Sequence, residues 1–441
     1  MNILHTSDWH LGISMYTGSC EEEQTRFLQW LLETINERRI ELLLIAGDIF
    51  HHRNPANSAR RLFYDFLASC EEETDLRSIV IVAGNHDSPS GLEAPQELLK
   101  HLNVSVVGSV QADPETWSHL LIPIRDDSGA PRAVIAAVPY VSEVRLGISG
   151  IGKEPRELRH EFIQGFQKLY STLAEQARRD YGEIPLIATG HLTCYEDSGD
   201  AQDDDYHSPI HQVGTIESLS PDVFDPRFDY VALGHIHRMF PVDRSQPHRR
   251  IWYSGTPVPT SVTETTSRFV LQVHFDAAGT PPKVEPLKVP SFRDIFSLKG
   301  TTTEVLAKIP DLSTDKDLSP YLTIRLINQQ RDPSARAFDQ IQEALTDAFS
   351  RGPSPRIVEF QEVITGQMDA ENAPAQDLNT LSPEEVFSAL YQRVHGAPIP
   401  PDEILQAFRE LLTEPDEEEE EQLLSASIAS TSKQKLTPEE V

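Results

Sequence analysis

LLLIAGDIF, residues 42–50, is a short apolar run that stops at a glycine followed by an aspartate. An unbroken apolar run of this length suits a strand buried on both faces, and the Gly-Asp pair ends it at a turn. The same grammar recurs through the first 275 residues: IVIVAG at 79–84, VIAAVP at 134–139, LIATG at 186–190 and YVALG at 230–234, with Ile3–Leu4 opening the series. Between several of these lie stretches with helical period, Phe27, Leu28, Leu31, Leu32 and Ile35 in one, Leu62, Phe63, Phe66 and Leu67 in another. Strands alternating with helices predict an α/β fold, a largely parallel, helix-covered sheet or sandwich. The two apolar helix faces are explained equally well as core or as an interface with another chain.

After about residue 285 the pattern changes. YLTIRLI (321–327), a helical stretch near 335–350 and RIVEFQEV (356–363) predict a small β-α-β unit, too short to be an enzyme alone. Residues 365–380 are polar and read as a linker. Ser382-Pro383-Glu384-Glu385 is a capping box that opens a helix carrying Val386, Phe387, Leu390, Tyr391 and Val394. GAPIPP breaks it, and Asp402 caps a second helix with Ile404, Leu405, Phe408, Leu411 and Leu412. These two amphipathic helices are expected to dock on a partner protein, packing back on the core being the alternative. The expected division is 1–280, 285–364, a linker at 365–380, a helix pair at 381–413 and a disordered acidic tail at 414–441.

The 441 residues are 39% hydrophobic and 24% charged, which excludes wholesale disorder. No apolar run is long enough to span a membrane, and MNILHTSDWH has no basic stretch leading into an apolar one, so neither a membrane protein nor a secretory signal is expected. Cys20, Cys70 and Cys194 are far apart with no CxxC, which fits a reducing cytoplasm and argues against a thiolate metal site. The formal charge of −31 should repel nucleic acid. Thirteen acids lie in two runs, 196–205 and 414–421, and discounting them leaves −18.

Five strand ends carry chemistry in order: Asp8-Trp9-His10, Gly47-Asp48, Gly84-Asn85-His86-Asp87, Gly190-His191 and Gly234-His235-Ile236-His237. Singly each is weak, since a strand-end Asp is often a helix cap and a lone His a packing residue. Together they place imidazole, carboxylate and amide groups at one edge of a parallel sheet. Such a donor set without sulfur suits Mn²⁺ or Fe²⁺ better than structural zinc. Seven donors are too many for one ion with open positions and suit a pair bridged by a carboxylate, the arrangement that hydrolyses phosphate esters. For Asp8 and His10, or His235 and His237, to reach one cluster, the backbone must leave the strand, which the turn glycines permit.

In their order and spacing the five motifs resemble the calcineurin-like metallophosphoesterases. ILHTSDWHLG, AGDIF, AGNHDS, ATGHLT, YVALGHIHR and YSGTP further resemble the SbcD family, the bacterial branch of the Mre-type double-strand-break repair nucleases, over about residues 1–275. The resemblance implies a metallophosphoesterase β-sandwich flanked by helices, a small β-α-β capping domain and C-terminal helices that bind an ATPase. It implies one metal on Asp8, His10, Asp48 and His237 and a second on Asp48, Asn85, His191 and His235, most simply Mn²⁺, with Fe²⁺ or Mg²⁺ as alternatives. His86 would stabilise the transition state or protonate the leaving oxygen, with Asp87 orienting it. His51 matches a second active-site histidine of some members; in others an acid stands there. Arg53, Arg60, Arg61 and Arg238, with Arg249–Arg250, are the candidates for phosphate contact. The implied activity is exonuclease and endonuclease cleavage of double-stranded DNA ends and hairpins, in repair, recombination and replication. The implied partners are an SbcC-like coiled-coil ATPase, double-stranded DNA and a second copy of the chain within a heterotetramer, in the nucleoid-associated cytoplasm. The rival reading is a phosphoesterase of the same superfamily acting on a small phosphodiester.

Overall fold

The computed structural model describes residues 1–148, 153–195, 219–243, 250–264, 266–276, 280–328, 337–350 and 352–364, with scattered positions between 384 and 409. In chain order the first region runs β1 (Asn2–Thr6), a hairpin of β2 (Ser14–Met15) and β3 (Gly18–Ser19), α1 (Glu21–Arg38), β4 (Leu42–Ala46), α2 (Asn57–Glu73) and β5 (Ser78–Val82). Short helices α3 (Pro89–Glu93) and α4 (Gln96–Leu99) lead to β6 (Val104–Val107). Next come β7 (Leu121–Arg125), β8 (Pro131–Ala136), α5 (Pro155–Tyr181), β9 (Leu186–His191), β10 (Tyr230–Gly234), β11 (Phe240–Pro241), β12 (Ile251–Tyr253), β13 (Phe269–His274) and β14 (Lys283–Lys288).

Among the described residues these strands form two six-stranded sheets, ordered β14-β13-β1-β4-β5-β6 and β11-β12-β10-β9-β8-β7. In the first, β1, β4, β5 and β6 are parallel and β13 and β14 are antiparallel. In the second, β8, β9, β10 and β12 are parallel and β7 and β11 run against their neighbours. The fold is therefore the expected sandwich, with antiparallel edges added to parallel centres. The first sheet also takes in β14 at 283–288, beyond the expected boundary at 280.

Alternation along the strands explains the layering. Ile3, Leu42, Leu44, Val80 and Val82 face the second sheet and pack with Ile135, Ile187, Val231 and Leu233. Leu4, Leu43, Ile45, Ile79 and Ile81 face the other way, onto Phe27, Leu28 and Leu31 of α1 and Phe63, Phe66 and Leu67 of α2. Each such side chain contributes roughly 1.5–3 kcal/mol of burial. The periodic faces read from the sequence are thus core, and α5 joins the same core through Phe166, Leu169, Tyr170 and Leu173.

His5, on β1, reaches across the sandwich and pairs through Nδ1 with the Tyr230 hydroxyl at 2.9 Å. Burial pushes its pKa down from 6.5 to about 3. Between those values the unfolded chain takes up a proton that the native state refuses, so stability is complete above pH 6.5 and falls as the pH drops. One such group contributes a slope of up to about 1.4 kcal/mol per pH unit. Urea unfolding of His5→Asn across this range should show a shallower pH dependence than wild type by that amount.

A smaller three-stranded sheet, β15-β16-β17, follows, built from β15 (Ile295–Gly300), β16 (Tyr321–Asn328) and β17 (Arg356–Ile364) with α6 (Thr302–Lys308) and α7 (Ala337–Ala348). It matches the expected β-α-β unit but adds β15 and α6, the latter opened by a Thr301–Glu304 capping box. Its own core is Leu298, Val305, Leu322, Ile324, Leu326, Ile341 and Leu345. It is fastened to the hairpin by Tyr321 and Val358 against Ile13 and Met15, and by buried Arg293, which bonds Glu23 and lies 4.2 Å from the Tyr321 ring centroid.

Residues from Ile364 onward form a separate unit. Within it Phe387 stacks on Phe408 at 4.1 Å, and Arg409 bonds Glu384. Of the expected docking residues Phe387, Leu405 and Phe408 are helical; Val386, Leu390, Val394 and Leu412 lie outside the described residues, as do the linker, the acidic insert and the tail. No helix among the described residues is long and apolar enough to cross a membrane.

Candidate metal centre

Asp8-Trp9-His10 leaves β1 in a turn that separates its side chains. Trp9 goes into the core, edge-on to Phe27 and Phe66, and donates through Nε1 to Thr6 Oγ1 at 2.9 Å. Asp8 and His10 go the opposite way. Both adopt positive φ, 55° and 46°, as do Asp48 at 51° and His235 at 94°. Non-glycine residues rarely do this, and each costs on the order of 1–3 kcal/mol. The ligand-type residues themselves therefore make the turns, where the sequence suggested that the glycines would. Of the four glycines in the five strand-end motifs, Gly47 alone is left-handed, at 92°. Gly84 serves close approach instead: a Cβ there would lie 2.0 Å from Asp48 Oδ1.

The turns are tied together by backbone bonds, Asp8 N–H to the Gly47 carbonyl and His10 N–H to the Asp48 carbonyl, both 3.0 Å. Gln24 of α1 is buried beneath them, donating to the His10 carbonyl at 2.8 Å and accepting from Gly12 N–H at 3.1 Å. Asp8 is fully buried and accepts from Ser7 Oγ and from His235 N–H at 3.0 and 3.1 Å.

All seven donors expected at the centre come together. His10 Nε2 and His237 Nε2 stand 3.1 Å apart, and Asp8, His10 and His237 form a group of mutually close ligand atoms. Asn85 Oδ1 lies 3.1 Å from both His191 Nε2 and His235 Nδ1. Asp48 Oδ2 sits between the two sets, 3.3 Å from His191 Nε2 and 3.7 Å from His10 Nε2. His191 donates Nδ1–H to the Ala46 carbonyl at 2.9 Å, so in the neutral ring its Nε2 lone pair faces two acceptors, Asn85 Oδ1 and Asp48 Oδ2. Acceptors converging in a buried space suit a cation between them. Although burial opposes it, Asp48 and Asp8 hold the His191 pKa up to about 9, a measure of how strongly this position favours positive charge. Asp48 is held well below the carboxylate range against its own burial, chiefly by His191. The donor set fits divalent cations with a preference for N and O ligands.

His86 is half-buried at the rim. Its N–H donates to Asp48 Oδ1 at 2.9 Å, and its Nδ1–H donates to the His51 carbonyl at 3.0 Å. The His51 ring stacks beside it at 5.5 Å, with Nδ1 3.4 Å from His10 Nδ1. Burial, with His52 and His86 nearby, pushes His51 down to about 4.

Asp87 corrects the sequence reading. Its carboxylate accepts from Ile49 N–H at 3.1 Å, Phe50 N–H at 2.9 Å and Gly84 N–H at 2.9 Å, clamping the AGNHD turn to the GDIF turn. The group orienting the His86 ring is the His51 carbonyl, not Asp87. Burial and the Asp48 charge raise Asp87 to about 7, against those three amide donors.

Arg53, Arg60, Arg61 and Arg238 are exposed; Arg60 donates to Asn54 Oδ1 at 2.9 Å. Arg250 is structural, donating to the Phe228 carbonyl at 2.8 Å, and Arg249 lies outside the described residues. Sequence reasoning missed Gln24 and the group around His237, where Glu264 Oε1 accepts from Nδ1–H at 3.1 Å. Glu264 sits in a Thr/Ser-rich loop, PTSVTETTSR, with no periodicity or spacing to mark it.

A family model for calcineurin-like phosphoesterases matches residues 1–239, and one described as the Type 5 capsule protein repressor C-terminal domain (SbcD_C) matches 291–395. The SbcD component of the nuclease SbcCD from Rhodobacter capsulatus is 32% identical over 89% of this chain and 94% of its own length. The Escherichia coli K12 protein of that name is 35% identical over 70% of this chain and 73% of its own. That of Bacillus subtilis is 26% identical over 95% of this chain and 100% of its own. With the strand-end donors gathered at one sandwich edge, these similarities show that the chain belongs to the calcineurin-like phosphoesterases and, within them, to the SbcD family of nucleases.

Proposed function

We propose that this chain is a two-metal DNA nuclease, cutting phosphodiester bonds in double-stranded ends and hairpins as exonuclease and endonuclease, under the control of an SbcC-like coiled-coil ATPase. Family membership makes it a metal-dependent hydrolase of phosphodiester bonds. The observation that carries the two-ion reading is Asp48 Oδ2, flanked by His191 Nε2 on one side and His10 Nε2 on the other. Asp8, His10, Asp48 and His237 would hold one ion; Asp48, Asn85, His191 and His235 would hold the other. Mn²⁺ suits the donors best, with Fe²⁺ and Mg²⁺ as alternatives. Such a pair, when bound, supplies an activated water and positive charge for the phosphate.

The protein's own groups do the rest. The His86 amide fixes the Asp48 carboxylate, while its ring, held by the His51 carbonyl, is left with Nε2 to meet the phosphate or protonate the leaving oxygen. His51 lines the same rim. Arg53, Arg60, Arg61 and Arg238 would contact backbone phosphates and position a duplex without reading its sequence. With a net charge of −31, duplex affinity would come largely from the ATPase partner and from the local charge of the metals. The helices around Phe387 and Phe408 would dock on that partner, within a heterotetramer containing two copies of this chain. Such an enzyme would work in the nucleoid-associated cytoplasm, in DNA repair, recombination and replication.

The test is Mn²⁺-dependent cleavage of an end-labelled hairpin duplex, with and without the ATPase partner, beside a bis-aryl phosphodiester. DNA cleavage stimulated by partner and ATP is expected. Turnover of the aryl ester with DNA untouched would move the substrate to a small phosphodiester.

A further inference from the structure

An imidazole that holds a metal through one nitrogen carries its proton on the other, and that N–H needs an acceptor to fix tautomer and ring orientation. His191 uses the Ala46 carbonyl. His237 uses a side chain: its Nδ1–H donates to Glu264 Oε1 at 3.1 Å, with Thr260 Oγ1 at 3.0 Å beside it.

Glu264 is itself held from several directions. Thr260 Oγ1–H donates to Oε1 at 3.1 Å, while Thr260 N–H at 2.8 Å and the Arg268 guanidinium at 3.1 Å donate to Oε2. Arg268, 8% exposed, also donates to the His237 carbonyl at 3.0 Å and the Glu264 carbonyl at 2.9 Å. The loop after YSGTP therefore grips His237 at both ring and backbone. Glu264 meets the ring on its Nδ1 side, opposite the Nε2 that faces His10, so it does not itself belong to the donor set.

We propose that Glu264 is a positioning residue, braced by Arg268, whose carboxylate fixes His237 as the Nδ1–H tautomer and aims Nε2 at the ion shared with Asp8 and His10. This rests on the two-ion reading. Glu264 touches neither ion nor substrate; it acts through His237 alone. The other ion, held by Asn85, His191 and His235, does not depend on it.

The test is calorimetric Mn²⁺ titration of the full chain, with electron paramagnetic resonance of the bound ions, for wild type, Glu264→Ala and Glu264→Gln. Wild type should bind two ions with a coupled spectrum. Glu264→Ala should weaken one ion by about 10–100-fold and leave the other at wild-type affinity, the coupled spectrum giving way to that of an isolated ion. The retained ion reports that the sandwich is intact. Glu264→Gln keeps one carbonyl acceptor and should lose less; it carries the same comparison if the alanine variant does not fold. Two ions at wild-type affinity in both variants would overturn the proposal. So would parallel weakening of both ions with a lowered melting temperature of the metal-free protein, the mark of a merely structural loop. Fewer than two ions in wild type would remove the two-ion reading and this inference with it.

Discussion

Replacing His86 by serine should lower turnover of both a bis-aryl phosphodiester and hairpin DNA by about 10²–10⁴-fold, the span over which a positioned acid–base group acts. The ion content of the protein should not change. Both expectations follow from the placement of the ring. Its Nδ1 is committed to the His51 carbonyl, and its nearest ring neighbours are His51 at 5.5 Å and His10 at 5.0 Å. The contact from residue 86 to Asp48 is made by the backbone amide, which serine keeps. Steady-state rates across pH, with metal analysis of the same samples, provide the check. Loss of an ion together with activity would make His86 a ligand; unchanged turnover would remove it from the chemistry.

The second large effect belongs to Asp48. Asp48→Asn should abolish tight binding of both ions and reduce turnover by at least about 10³-fold, because one carboxylate serves both halves of the centre. The amide is nearly isosteric, so the loss is one of charge and acceptor capacity. Asparagine can still accept from the His86 amide, but the group it then turns toward His191 Nε2, now 3.3 Å from Oδ2, is an NH₂ donor. Calorimetric titration with Mn²⁺ reads both affinities. Retention of either ion near wild-type affinity would show that Asp48 does not bridge.

The parts of this molecule that local sequence could announce are the strand ends. A parallel strand buried on both faces must be apolar throughout, and the residue after its last glycine reaches the C-terminal edge, so GDIF, GNHD and GHIH declare their positions. The antiparallel pairings beside the parallel strands carry no such punctuation: β13 (FVLQVH) and β14 (KVEPLK) alternate weakly, and β14 lies past the boundary expected at 280. In the small sheet, β15 (IFSLKG) and α6 (TTEVLAK) are short, and their apolar residues gain meaning only against Leu322 and Ile324. Asp87 misled because adjacency to His86 suggests contact, whereas the turn sends its carboxylate back to the amides of Ile49 and Phe50. Glu264 and Gln24 act across long separations, on His237 and on the turn at His10, and neither lies in a pattern. Nor could sequence show that Asp8, His10, Asp48 and His235 would themselves take left-handed backbone, since that choice is imposed by bonds between turns.

Whether two ions share one carboxylate is tested most directly by anomalous X-ray scattering at the manganese edge from crystals grown with Mn²⁺. Two peaks are expected, one among Asp8, His10 and His237 and one among Asn85, His191 and His235, with Asp48 in contact with both. A single peak, or two peaks with Asp48 touching only one, would contradict the shared-carboxylate centre.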